Sequence, residues 1–174
     1  KPFDRKATYL RIVTSVRTNK AESKRVRFTV GGDRVDYPGE TSTPTVDLTT
    51  IKIQLNSVLS TPDAKFMTAD ISDFYLNTPL PRKEYMRIPV KDIPQCVIDQ
   101  YNLAPLVHNG HVMTEIRKGM YGLPQAGLLA HDLLKDRLAL NGYMPANHTP
   151  GFFSHATLPI SFTLCVDDFG IKYV

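Results

Sequence analysis

Two adjacent aspartates, Asp167-Asp168, interrupt an apolar stretch close to the end of this 174-residue chain, and no other feature constrains the fold as much. Before them, Ile160 to Val166 carries Phe162, Leu164 and Val166; after them come Phe169, Ile171 and Tyr173. Aromatic and β-branched residues in such density predict two strands, and a connection of two residues makes them a hairpin with the aspartates at its tip. The apolar flanks put the pair at the rim of a core rather than on a loose loop. Turn chemistry alone is the competing explanation, because Asp is common in turns.

Two like charges side by side repel, and a cation relieves the conflict. Carboxylate oxygens are hard ligands that select Mg²⁺, or Mn²⁺, and a third carboxylate from a neighbouring strand would complete a site for two such ions. Asp70 is the candidate. It closes Lys65 to Ile71, a short, mostly apolar run that reads as a buried strand. Three aspartates around two ions have the chemistry for an in-line displacement at phosphorus, in which one ion activates the attacking hydroxyl and the other stabilises the leaving group.

The rest of the chain alternates irregularly between helical and extended patterns. Arg25 to Val30 alternates polar and apolar residues ahead of Gly31-Gly32, which predicts a strand with Arg25 and Arg27 on one face. Leu48, Ile51, Leu55, Val58 and Leu59 recur at helical spacing, predicting a helix from Val46 that stops before Pro62 and buries this stripe. Asp36 to Gly39 reads as a turn, Asp73 to Asn77 as a short helical turn, and Tyr85 to Ile88 and Val112 to Ile116 as strands. Ala126, Ala130, Leu133, Leu134 and Leu138 predict a second helix, stopped by Asn141-Gly142. The expected class is α+β with an antiparallel sheet, in one domain spanning 1–174. Lys1 in first place and a last segment that reads as the middle of a strand lead us to expect a piece cut from a longer protein.

Charge is unevenly divided. Residues 1–34 hold ten Lys or Arg against three acids, and the remaining 140 hold eleven against fourteen, so a net charge of +4 hides a basic arm on a mildly acidic body. That is the arrangement expected if one part meets phosphates and the other holds metal-binding carboxylates, though a cluster of cations can also be a solvated face without a ligand. Cys96 and Cys165 are isolated from each other and from any metal-ligand spacing. His108 and His111 flank Asn109-Gly110, a stronger signal for a tight hairpin than for a metal. No apolar run approaches the roughly 20 residues of a membrane-spanning helix.

Five segments, in order along nearly the whole chain, resemble reverse transcriptases, most closely those of Ty1/copia-type long-terminal-repeat retrotransposons. Arg25-Val26-Arg27-Phe28-Thr29-Val30-Gly31-Gly32 with the later Asp36-Tyr37 is similar to the fingers segment. Ala69-Asp70-Ile71-Ser72-Asp73-Phe74-Tyr75-Leu76-Asn77 resembles the first catalytic motif, and Glu84-Tyr85-Met86-Arg87-Ile88-Pro89 the Tyr-Met-x-x-Pro that follows it. Lys118-Gly119-Met120-Tyr121-Gly122-Leu123-Pro124-Gln125-Ala126 resembles Leu-Tyr-Gly-Leu-Lys-Gln-Ala, and Cys165-Val166-Asp167-Asp168 stands in the place of Tyr-Val-Asp-Asp.

The resemblance implies the fingers and palm of a right-hand polymerase, with the antiparallel palm sheet packed on helices and the thumb absent. The fingers-like arm would cover about 1–45 and the palm about 46–174. It implies RNA-directed DNA polymerase activity, with a primed RNA or DNA template and deoxynucleoside triphosphates as partners and two Mg²⁺ as cofactors. Asp70 and Asp167 would hold both ions, with Asp168 and the carbonyl of Ile71 assisting. Arg27, and Arg25 as a second contact, would hold the incoming triphosphate; Gln125 would touch the nucleotide near its sugar and base. Tyr75 would lie under the sugar and exclude a 2′-hydroxyl. Thumb and ribonuclease H regions would lie elsewhere in the same polyprotein, and the setting would be cytoplasmic, inside the virus-like particles of the element. Cys165 in place of the usual Tyr, Pro124 in place of Lys, and Leu128-Leu129 after Gly127 depart from the pattern. A transposon relic that keeps the fold and nucleic-acid affinity, and a metal nuclease built on the same carboxylates, remain alternatives.

Overall fold

The computed structural model describes residues 6–19 and 21–174. Lys1, Asp4, Arg5 and Lys20, part of the charge tally above, lie outside the described residues. The elements in chain order are β1 (Thr8–Val16), β2 (Lys24–Val30), α1 (Leu48–Ser60), β3 (Lys65–Asp70), β4 (Pro79–Pro89), α2 (Gln95–Gln100), β5 (Val107–His108), β6 (His111–Lys118), α3 (Ala126–Leu140), β7 (Tyr143–Pro145), β8 (Phe152–His155), β9 (Ile160–Cys165) and β10 (Asp168–Tyr173). The class is mixed α+β, with two mostly antiparallel five-stranded sheets and few helices.

The chain folds as two compact units, and neither is continuous in sequence: Lys1–Gly39 joins Pro79–Ala126, and Glu40–Thr78 joins Gly127–Val174. Most of the arm expected over about 1–45 therefore belongs to a unit that also takes the middle of the chain, while residues 40–45 belong to the other.

The first unit is a sheet in the order β2-β1-β4-β6-β5. β1 pairs antiparallel with β2 and, through Thr8 and Tyr9, parallel with β4. At the far edge Asn109 and Gly110 both take positive φ, 49° and 73°, joining β5 to β6 in the turn that Asn-Gly favours. That geometry absorbs His108 and His111 as a facing strand pair, and His111 Nδ1 lies 2.8 Å from the Asn109 carbonyl, so the hairpin reading holds for this pair. Val30, Leu80, Met86, Val112 and Ile116 are buried.

In the second unit the sheet order is β3-β10-β9-β8-β7. Successive residues of a strand point to opposite faces, and here the two faces do different work. Phe162 and Leu164 of β9, with Phe153 of β8, form an aromatic-rich core against which Leu134 and Leu138 of α3 and Phe169 and Ile171 of β10 pack. Phe153 and Phe162 stack with centroids 5.0 Å apart at 11°. The opposite face, carrying Ser161, Gly170 and Lys172, meets α1: Gln54 Nε2 donates to the carbonyls of Ser161 (3.2 Å) and Gly170 (2.9 Å), and Lys172 Nζ donates to Ser57 Oγ and Thr61 Oγ1.

Two expectations change. Helix α1 forms where expected, capped by Asp47, whose carboxylate accepts from the Thr50 N–H at 2.8 Å. Its apolar stripe is nevertheless not core: Gln54 is its one buried residue, and Leu59 is 86% exposed. The sheet offers α1 carbonyls and a lysine rather than an apolar surface, so the helix rests on Ile51, Gln54, Ser57 and Val58 instead. Strand β3, expected to be buried, is exposed along its whole length because it is the edge of the sheet.

Candidate functional site

The three aspartates are assembled by one ladder. β10 lies antiparallel to β3 in a register that sets Asp168 directly opposite Asp70, and the Ile71 N–H donates to the Asp167 carbonyl at 3.1 Å one step further on. A donor at that step makes Ile71 and Asp167 the hydrogen-bonding pair and Asp70 and Asp168 the closer, non-hydrogen-bonded pair. Directly opposed residues share a face, with Cβ atoms about 4.5–5.5 Å apart. Two carboxylates thus project side by side from the sheet edge, with the third in the adjoining turn.

That turn differs by one residue from the sequence expectation. Cys165 pairs with Asp168, so the two connecting residues are Val166 and Asp167, and Asp168 already opens β10. Val166 has φ +62°. A positive φ at the first central position of a two-residue hairpin belongs to a glycine. A β-branched residue there is a backbone outlier costing on the order of 1–3 kcal/mol, and such strain gathers at functional sites. Asp167 is half-buried, while Asp70 and Asp168 are exposed.

Tyr75 lies in the same unit, half-buried at the start of a 3₁₀ turn (Tyr75–Asn77) that follows β3, its ring 5.6 Å from that of Phe74. Asp73 enters this turn with φ +54°, and Asn77 Nδ2 reaches back to its carbonyl at 3.2 Å.

Arg25, Arg27 and Gln125 belong to the first unit. β2 sets both arginines on one face, opposite Ser15 and Val13 of β1, with Arg25 half-buried and Arg27 exposed. The Arg27 guanidinium lies over the Tyr121 ring, 5.2 Å from its centroid, and the Val30 N–H donates to the Tyr121 carbonyl at 2.7 Å. Tyr121 therefore meets Arg27 through its ring and holds the end of β2 through its backbone, a role that the motif around it did not reveal. Gln125 is 1% exposed and donates through Nε2 to Glu84 Oε1 at 3.4 Å; Glu84 is itself buried and lies 3.5 Å from Arg82 Nε. In the sequence Glu84 stands out only as the first residue of the segment Glu84 to Pro89. The signal that could have marked it is an acidic residue in an otherwise strand-like run.

Whether the aspartates could hold metal rests on backbone and on donor chemistry. Hard carboxylate oxygens suit Mg²⁺, and at the cross-strand spacing above, rotation about Cα–Cβ bonds suffices to turn two of them to a common point. In the arrangement described, no three His, Cys, Asp or Glu side chains among the described residues converge as a ligand group. Among the described residues, no helix is long and apolar enough to cross a membrane.

Comparison of the chain with family models, with curated proteins and with solved structures finds no match.

Proposed function

We propose that this chain is the fingers-and-palm portion of a reverse transcriptase similar to those of Ty1/copia-type retrotransposons, and that it transfers deoxynucleotides to a primer 3′-hydroxyl. The observation that carries the reading is the cross-strand pair Asp70 and Asp168, flanked by Asp167 in a turn strained at Val166. Ordinary turn chemistry does not need a β-branched residue at positive φ. The five ordered motifs support it further.

In this reading the right-hand fold has its fingers in the unit with the basic hairpin and its palm in the unit with the carboxylates. Bound Mg²⁺ would supply charge neutralisation and activation of the attacking hydroxyl. The chain's own part is to hold the oxygens that receive it: Asp70 and Asp168 through ladder register, Asp167 through the Ile71 N–H, and the Ile71 carbonyl from the same strand end. Arg27, steadied on Tyr121, offers a guanidinium to the triphosphate. Gln125, buried against Glu84, would have to leave that bond to meet the nucleotide near its sugar and base, and Tyr75 would close the space a 2′-hydroxyl needs. Template, primer and the thumb and ribonuclease H regions of a polyprotein complete the assembly, inside virus-like particles.

Primer extension tests this. Asp167→Asn reduces extension to background in a chain lengthened to include the thumb, and extension at the parental rate would remove the site. Tyr75→Ala incorporates ribonucleotides more readily; unchanged sugar discrimination would remove the role given to Tyr75. One observation favours the relic alternative: exposed Cys165, beside Asp168, lacks the ring and hydroxyl of the usual Tyr. That alternative expects no Mg²⁺ or Mn²⁺ binding by calorimetry in the presence of duplex and nucleotide.

A further inference from the structure

β5 and β6 meet in a two-residue hairpin at the edge of the first sheet, and the pair that closes it is His108 opposite His111. Directly opposed residues of a ladder share a face, with Cβ atoms about 4.5–5.5 Å apart. Two imidazoles therefore stand side by side next to the Asn109-Gly110 turn. His108 is exposed and His111 half-buried, so solvent reaches both residues. β5 is only two residues long and both are exposed, which leaves little packing to hold this end of the sheet.

One of the two rings is already set as a ligand. His111 Nδ1 lies 2.8 Å from the Asn109 carbonyl, and a carbonyl only accepts, so this bond requires the proton on Nδ1. In the neutral imidazole the lone pair is then on Nε2. Histidines that bind metal commonly donate their other ring N–H to a backbone carbonyl in this way, which fixes the tautomer and the ring orientation. Two nitrogens about 3.3 Å apart serve a tetrahedral ion at bond lengths of about 2.0–2.1 Å. From the cross-strand spacing, rotation of the exposed His108 side chain suffices to bring one of its ring nitrogens to that distance.

We propose that His108 and His111 form a surface site for one borderline transition-metal cation of the Zn²⁺ class, with the two imidazoles as its protein ligands and water in the remaining positions. Imidazole suits such ions whereas carboxylate oxygen suits Mg²⁺, so the site differs in kind from the aspartates of the second unit. Bound metal ties β5 to β6 across the turn. The proposal stands on the hairpin register and the His111 hydrogen bond, and does not require the nucleotidyl-transfer reading.

Zn²⁺ is the probe and Mg²⁺ its control, each titrated into the full chain in neutral buffer while the backbone amide shifts of Gly110 and Val112 are followed. Zn²⁺ shifts both amides saturably, and Mg²⁺ leaves them unmoved. His108→Ala, a change at an exposed position, weakens the zinc response by at least about tenfold, as loss of one of two ligands implies. Val107→His combined with His108→Ala keeps the number of histidines and sends one imidazole to the opposite face of β5, so it weakens the response to the same extent. Amide shifts of β1 and β4, unchanged in both variants, report that the sheet is intact. A parental zinc response in the variant with the displaced histidine overturns the pairing of the two imidazoles. Shifts at the hairpin that are absent, that do not saturate, or that Mg²⁺ also produces overturn the site. Loss of primer extension in Asp167→Asn bears on the aspartates alone, so either idea can fail without the other.

Discussion

The two compact units are built on sheets of the same strand number and opposite electrostatic character. The first holds sixteen Lys or Arg against eight acids and the second five against nine, net charges of +8 and −4. They also differ in how they use a sheet face. In the first, the β1–β2 hairpin leaves both faces open, with Ile12, Val26 and Phe28 exposed on one and Arg11 and Arg27 on the other, beside half-buried Arg25. In the second, one face is an aromatic core and the other is tied to α1 through Gln54 and Lys172. The lesson is that the basic surface needs little packing to do its work, whereas holding like charges opposite each other needs a rigid ladder behind them.

If that is correct, the largest effect of mutation falls on the second unit's core. Phe153→Ala removes a ring stacked on Phe162 and is expected to cost about 3–5 kcal/mol, read as a lower urea midpoint. A loss under 1 kcal/mol would show that the aromatic core does not support the ladder. The first unit breaks differently. Arg27→Ala should leave stability nearly unchanged while raising the KM for deoxynucleoside triphosphate by about tenfold, as loss of one charge-assisted hydrogen bond implies. An unaltered KM would mean that this arginine is merely solvated.

Smaller effects sharpen the contrast. Val166→Gly relieves the positive φ at the hairpin and should raise stability by roughly 1 kcal/mol, strain relief offset by the added freedom of glycine in the unfolded chain. A destabilised variant would place the turn's support elsewhere. The smallest concerns His131 on α3, 5% exposed with its Nδ1 unpartnered; burial pushes its imidazole below the usual range, with Asp132 opposing weakly. The unfolded chain takes up that proton more readily than the folded one. This contribution is therefore fully present above pH about 6.5 and is lost as pH falls below it. His131→Phe should flatten the pH dependence of the melting temperature in that range, and a curve of unchanged slope would assign it to other groups.

Much of the fold was legible in residue order. Alternation located β2, aromatic and β-branched flanks located the final hairpin, helical spacing located α1 and α3, and Asn-Gly turns up at the tip of the β5–β6 hairpin as its backbone demands. Short elements were not legible: β7, β8 and the six-residue α2 have too few residues for a period to show; β1, by contrast, is rich in β-branched residues, and its pattern went unread beside the basic charge around it. At the site, the sequence singled out Asp70, Asp167 and Asp168 but misassigned the turn by one residue. Apolar context suggests that Val166 continues the strand, and only the pairing of Cys165 with Asp168 makes it part of the turn.

The strands, the helices and the aspartates were properties of local pattern, since spacing and capping act within a few residues. Tertiary structure decided what depends on long-range pairing. It placed β3 at an edge and so exposed a strand whose composition reads as buried. It rested α1 on Gln54 in place of its leucines, because the sheet face beneath offers carbonyls and a lysine. It also set Asp70 opposite Asp168 across 98 residues of chain, a proximity that no local pattern encodes because it arises from the register of a ladder.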